Sequence, residues 1–319
     1  MRRPAAGVTM ETDLWFGGDE MFKNVLVGVD RDGGGRDAIA LSTKLVADGG
    51  KVTFAHVYPS DPRVLPLNDE YERTELERSF RLLKDVSDEV GVEAELSCWE
   101  SSSVGRGLHE LCEEAGSDLL VVGSSRRGLL GRVLMGDDTH TALNGAPCAI
   151  AIAPAGCAEQ PAAMREIGVG YNGSPESQHA LGVARKIAAE HGATLSAFEA
   201  VSLPTYTFAG GPVPIDDVIE DLVKDARERI GALGGIEPHA VYGNPVEELT
   251  VYSASLDLLI VGSRDYGPIG RLVHGSTCAQ LARTARCPLL VLTRAARKPN
   301  VSSGSYSREK TEPAAVATD

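Results

Sequence analysis

The chain has 319 residues, 43% of them hydrophobic and 24% charged, with a formal net charge of −14. That length suits two domains, each with a core of its own, and no apolar run is long enough to span a bilayer. The acidic excess repels a phosphate backbone, which argues against nucleic-acid binding.

The first residues, MRRPAAGVTMETDLW, follow two arginines with acidic residues where a secretory signal has an apolar core, so a cytoplasmic protein is expected. Residues 1–21 are expected to be a disordered tail. Beyond them, 24–29 is a short apolar run typical of a strand, and 36–47 has helical spacing through Ala38, Ile39, Leu41, Leu45 and Val46. Residues 51–57 are strand-like again, and 69–90 form a long amphipathic helix. A strand over 92–98, a helix over 107–115, a strand over 118–122, a helix from about Asp137 and a strand over 148–153 complete the first half. The second half repeats the alternation, with strands near 167–171, 194–200, 236–242, 257–261 and 289–293. Strands separated by helix-length crossovers predict parallel, doubly wound sheets covered by helices on both faces.

The two halves are copies. Asp118-Leu-Leu-Val-Val-Gly-Ser124 returns 139 residues later as Asp257-Leu-Leu-Ile-Val-Gly-Ser263. Gly128, Gly131, Arg132 and Gly136 have counterparts at Gly267, Gly270, Arg271 and Gly275 with the same offset, and Pro147 is matched to Pro288. Upstream, Val25-Leu-Val-Gly-Val-Asp30 pairs with Ile167-Gly-Val-Gly-Tyr-Asn172. The repeat sets the expected domains at 22–154 and 165–294, joined by a linker over 155–164 and followed by a polar, disordered tail over 295–319.

In such sheets a ligand sits at the carboxyl ends of the strands, where the strand order reverses. For the order 3-2-1-4-5 that crevice lies between strands 1 and 4. Strand 1 leads into Asp30 in copy one and Asn172 in copy two. Strand 4 runs into a glycine-containing loop, and then into a helix opened by Gly136 or Gly275, whose free N–H groups and dipole suit a phosphate.

These residues resemble the universal stress protein family, whose ATP-binding members carry G-x-x-G, nine residues and G-[ST] at this loop, with Asp closing strand 1. Copy two has Gly262-Ser-Arg-Asp265, nine residues, then Gly275-Ser276 followed by Thr277; copy one has Gly123-Ser-Ser-Arg126, nine residues, then Gly136-Asp137. Each copy therefore departs from the pattern, one by Asp265 and Asn172, the other by Arg126 and Asp137. Val57 and Ala200, near the ends of the two second strands, complete the candidate nucleotide-binding set.

The resemblance implies two tandem α/β domains, each a doubly wound five-stranded parallel sheet of order 3-2-1-4-5, like that of the adenine-nucleotide α-hydrolases. It implies a non-enzymatic stress-response protein that binds ATP or AMP, with or without Mg2+. It also implies that the two copies pair through their last strands as an intrachain pseudo-dimer; the sequence leaves a further homodimer open. A carboxylate about 4 Å from a phosphate charge costs roughly 4 kcal/mol at an effective dielectric near 20, so Asp137 disfavours a triphosphate in copy one. Copy two keeps the hydroxyls of Ser276 and Thr277 and is the better triphosphate site, unless Asp265 faces the phosphates. Two other readings stand beside this one: a scaffold that has lost nucleotide binding, and a slow ATP hydrolase. The phosphate loops of the α-hydrolase enzymes are not present at Asp30-Arg-Asp-Gly or Asn172-Gly-Ser-Pro.

Other motifs carry less. Gly168-Val-Gly170-Tyr-Asn-Gly173 spells a dinucleotide fingerprint, but its first glycines fall inside a predicted strand instead of after it. The six cysteines show no C-x-x-C spacing and suit buried thiols. The seven histidines lack ligand spacing.

Overall fold

The computed structural model describes residues 21–31, 34–59, 69–124, 141–202, 215–263 and 277–292. Both expected tails lie outside the described residues. The first copy runs β1 (Phe22–Gly28), α1 (Gly34–Leu45), β2 (Val46–Pro59), α2 (Asp69–Val90), β3 (Glu95–Ser101), α3 (Val104–Ala115), β4 (Leu119–Gly123) and β5 (Ala149–Ala153). The second runs β6 (Glu166–Gly170), α4 (Pro175–His191), β7 (Thr194–Val201), α5 (Ile215–Gly231), β8 (Glu237–Tyr242), α6 (Pro245–Tyr252), β9 (Leu258–Gly262), α7 (Thr277–Thr284) and β10 (Leu289–Leu292).

Each copy has the order 3-2-1-4-5, but the two sheets are one. The ten strands lie in the order β3-β2-β1-β4-β5-β10-β9-β6-β7-β8. Within each copy all pairs are parallel. At the seam β5 and β10 run antiparallel, with Leu289 opposite Ile152 and Val291 opposite Ile150. Two apolar edges that an isolated copy would expose are thereby closed against each other. The cores follow the sheet across the seam. One face joins Val27, Val121 and Ala151 to Leu290 and Ile260 beneath α1, α2 and α4; the other joins Leu26, Leu120 and Ile152 to Leu289 and Leu259 beneath α3 and α7.

The segment between the copies is docked. The buried carboxylate of Asp37 on α1 accepts hydrogen bonds from Gly156 N–H at 3.2 Å and Ala158 N–H at 2.8 Å. His191, ending α4, meets the Lys44 carbonyl of α1 at 2.8 Å and so joins the two copies directly, away from the seam.

Some boundaries move for identifiable reasons. The first helix ends two residues before Ala47, because Val46 pairs with Phe22 at the foot of β1. Strand β3 begins at Glu95 and not Val92, since the ladder with β2 starts at Thr53 opposite Glu95; Val92 and Ala94 pack against the core outside it. Helix α3 starts at Val104 because the Ser103 side chain accepts from the Arg106 N–H and caps it. The register also corrects one pairing of the repeat. Leu120 lies opposite Ile150 and Leu259 opposite Leu289, so the 139-residue offset persists through the last strand and Pro147 is not the counterpart of Pro288.

The glycine fingerprint is resolved by packing. Gly168 lies inside β6, and a Cβ there would meet Leu256 Cδ1 at 2.3 Å and Tyr252 at 2.8 Å. Its role is to let α6 and the turn after it close onto the sheet.

Candidate functional site

Both reversals of strand order fall where the sequence predicts them. In copy one β1 and β4 are adjacent, with Val27 opposite Val121, and the chain leaves β1 toward β2 on one side and arrives at β4 on the other. In copy two β6 and β9 stand in the same relation, with Gly170 opposite Val261. The sheet register makes further equivalences: Val29 with Tyr171, His56 with Glu199, and Val57 with Ala200. Tyr171 N–H donates to Phe198 O at 2.9 Å as Val29 N–H does to Ala55 O at 2.8 Å.

In copy one the exposed residue Asp30 follows buried Val29. Buried His56 places Nδ1 2.7 Å from the Val29 carbonyl, and since a carbonyl only accepts, Nδ1 carries the proton. Burial pushes the His56 pKa below the ordinary histidine value, and the Arg31 guanidinium pushes the same way; the Val29 hydrogen bond, Asp30 and Glu75 oppose this. Arg31 Nη2 lies 2.8 Å from Glu75 Oε2, and Arg78 Nη1 2.7 Å from Glu75 Oε1. The hydrogen bond from Arg31, followed by that from Arg78, holds the Glu75 carboxyl below the usual range against the opposing effect of burial. Val57, neighbouring His56 on the strand, points to the other face and packs with Leu108 and Leu111 of α3.

Copy two holds its first strand end locally. Asn172 is exposed, and its Oδ1 accepts from Ser174 N–H at 3.1 Å while its N–H donates to Ser177 Oγ at 3.4 Å. Ser174 in turn accepts from Ser177 N–H and caps α4, with Pro175 in the first turn. This is an Asx turn feeding a helix cap. Glu199, in the place of His56, accepts from Arg229 Nη2 with both carboxylate oxygens at 2.9 Å. Ala200 is half-buried where copy one has Val57.

The fourth strands end alike. Gly123 lies opposite Ala153, and Gly262 opposite Leu292. Gly262 is needed for packing: a Cβ there would stand 2.3 Å from the Glu176 carbonyl in the first turn of α4. Ser124 and Ser263 follow, both buried, donating their N–H groups to Ala153 O at 2.8 Å and Leu292 O at 2.9 Å. Among the described residues their hydroxyls have no hydrogen-bond partner. Two orphaned hydroxyls at equivalent positions of the crevice edge are polar groups a ligand or water can satisfy. Thr277 opens α7 and is half-buried. Arg126, Gly136, Asp137, Asp265, Gly275 and Ser276 lie outside the described residues. Among the described residues no group of three or more His, Cys, Asp or Glu is placed to hold a metal ion, and no helix is long and apolar enough to cross a membrane.

The foot of the sheet contrasts with its mouth. Asp118, which opens the repeated strand-4 motif, accepts from Lys23 N–H at 2.8 Å and Asn24 N–H at 3.0 Å. Asp257 accepts from Arg165 N–H at 2.7 Å and Glu166 N–H at 3.1 Å. The most recognisable residue of the repeat therefore ties strand 4 to the start of strand 1, away from the crevice. Sequence reading missed His56, Arg31, Glu75 and Arg78. Only the i, i+3 spacing of Glu75 and Arg78 was visible; Arg31 and Glu75 are 44 residues apart and meet through the fold.

Comparison with known proteins agrees with this architecture. The model of the universal stress protein family matches residues 21–154 and again 164–293. A universal stress protein of Mycobacterium tuberculosis is 29% identical over 189 residues, spanning 57% of this chain and 63% of its own length, less than two thirds of that relative. A universal stress protein of Mycolicibacterium smegmatis is 24% identical over 292 residues, 84% of this chain and 96% of its own. Among solved structures, a universal stress protein from Archaeoglobus fulgidus superposes with a TM-score of 0.62 at 18% identity, over 85% of this chain and 98% of its own. A functionally unknown protein from Pseudomonas aeruginosa does so with 0.54 at 16% identity, over 85% of this chain and 92% of its own. These two likenesses concern the fold. The chain belongs to the universal stress protein family and carries two of its domains in tandem.

Proposed function

We propose that the chain is a nucleotide-responsive regulatory protein whose two crevices take adenine nucleotides unequally and without turnover. One observation carries the reading: both reversals of strand order open onto a strand-4 glycine followed by a buried, unpartnered serine hydroxyl. That is the position at which doubly wound sheets receive ligands. On this reading the domains are 22–154 and 165–294 joined by 155–164, the protein acts in the cytoplasm, and a partner reads the ligand-dependent surface.

The two crevices divide the ligand. Copy two has hydroxyls at Ser276 and Thr277 and takes the triphosphate; copy one has Asp137 there and favours a nucleotide with fewer phosphate charges, such as AMP. Isothermal titration with ATP and AMP, with and without Mg2+, tests this. Saturable binding without phosphate release is expected, with Gly275→Asp or Ser276→Asp weakening ATP roughly a hundred-fold or more through charge repulsion. A flat trace for every nucleotide would leave a scaffold without ligand; steady phosphate release would make the chain a hydrolase.

A further inference from the structure

Asp30 is bracketed by two long-range tethers that have no counterpart among the described residues of copy two. On one side the carbonyl of Val29 is held by His56, 27 residues away on β2, at 2.7 Å. On the other, the side chain of Arg31 is held by Glu75, 44 residues away on α2, at 2.8 Å. Glu75 is a firm anchor because its side chain is only 7% exposed and Arg78 grips its second oxygen at 2.7 Å. Such charge-assisted bonds are stronger and more directional than neutral ones. At the equivalent place copy two has Gly173, with φ of +74°, and Asn172 is fixed by its own Asx turn.

We propose that Arg31, clasped by Glu75, is a positioning residue for Asp30: with His56 it fixes the carboxylate of Asp30 at the mouth of the copy-one crevice, ready to accept from a donor of the nucleotide's adenine or ribose. The proposal rests on the nucleotide-binding reading given above. Its physical basis is preorganisation. A loop that must be ordered when the ligand arrives lowers affinity by the cost of ordering, and a loop already tied at both flanks of the contacting residue does not. The clasp also accounts for the convergence of three charged side chains, Arg31, Glu75 and Arg78, beside the residue that follows the end of β1. Their attraction is satisfied within the protein, so their contribution to the ligand is geometric.

The design of the cluster makes a clean test possible. Arg31→Met removes the clasp yet leaves Glu75 neutralised by Arg78, so no buried charge is orphaned; Arg31 itself is 53% exposed, and the fold does not depend on it. AMP is titrated into the full chain and into the full chain carrying Gly275→Asp, which adds charge repulsion at copy two and so marks its site, and both titrations are fitted as two sites. Arg31→Met is expected to weaken AMP at copy one about ten-fold, with the thermal midpoint nearly unchanged, and Arg31→Lys to restore most of the loss. In an Asp30→Ala chain, followed to millimolar AMP, Arg31→Met is expected to add nothing, because the residue through which it acts is gone. Unchanged affinity in Arg31→Met overturns the proposal while leaving nucleotide binding intact. So does a full additional loss in the Asp30→Ala chain, which would mean that Arg31 meets the ligand itself. If copy one binds no AMP and Asp30→Ala has no effect, the underlying reading fails for this copy, and the proposal with it.

Discussion

In copy one Asp118 ties strand 4 to the backbone of Lys23 and Asn24, and in copy two Asp257 does the same for Arg165 and Glu166. At the opposite edge the copies share almost no side-chain interactions: His56 and the Arg31–Glu75–Arg78 cluster hold the strand-1 end in one, while an Asx turn and a serine cap hold it in the other. The foot sets the strand register on which both copies depend. The mouth is at the surface, where Asp30 and Asn172 are both exposed, and there several local solutions support the same backbone path. A duplicated sheet can thus keep its frame identical while its two crevices become chemically different.

The comparison is broken most severely at the seam, which belongs to neither copy. Ile152 is fully buried opposite Leu289, and the cores on both faces run through this pair of strands. Ile152→Asp places an unpaired carboxylate there and is expected to cost about 4 kcal/mol or more. Because the cores are shared, both copies should be lost together, as a single shifted transition in urea followed by circular dichroism. Two separate transitions, with copy two unaffected, would show that the copies fold as independent units.

A smaller effect is expected at the foot, where the copies should respond equally. Asp118→Ala and Asp257→Ala each remove two hydrogen bonds from backbone N–H groups, three of the four at the surface where water can replace the carboxylate. Each substitution should therefore lower stability by about 1–2 kcal/mol. Urea midpoints of the two variants should agree closely. A large difference between them would end the claim that the foot is equivalent in both copies, and would point to the extra support in copy one. There Asn24 Nδ2 also donates to Ala115 O and Gly116 O, at 2.6 Å and 3.2 Å.

Much of this frame was legible in the sequence because it is written in local patterns. Apolar runs of five residues, helix-length crossovers and a constant repeat offset specify parallel strands and their order. Asp30, Asn172, Gly123 and Gly262 fall at or just beyond the ends of the first and fourth strands for that reason, and Val57 and Ala200 at equivalent places on the second strands, Val57 buried against α3. What escaped were relations with no local pattern. Glu75 reads as one more charge on an amphipathic helix, and nothing near it names Arg31 as its partner. His56 sits within a strand whose alternation cannot say what a buried imidazole will meet. Asn172 stands where the family pattern has Asp, and nothing in that comparison shows that its oxygen serves the turn before α4. Pairing of the copies through their last strands was, by contrast, implied by the family resemblance, and the antiparallel β5–β10 ladder makes of it one continuous sheet.

The smallest expected effect sharpens the difference between His56 and Glu199, which share a place in the fold. Burial lowers the His56 pKa in the folded chain, with Arg31 adding to the shift, so the imidazole stays neutral to a lower pH than in the unfolded chain. Above the ordinary histidine value both states are neutral and the stability is fully present. As pH falls below that value the unfolded chain takes up a proton that the folded one resists, and stability is lost as the pH drops through the folded-state pKa. Copy two has its own acid-sensitive histidine, His179, lowered by burial and by Lys186, so the whole chain should weaken on acidification. His56→Asn keeps an N–H donor for the Val29 carbonyl and removes only the copy-one contribution. The urea midpoint should therefore fall less between about pH 7.5 and about pH 5.5 in His56→Asn than in the natural chain, without becoming flat. An identical fall in both would mean that His56 gains its proton as readily in the fold as outside it, and that its tether to Val29 is not the dry, neutral contact that distinguishes this copy.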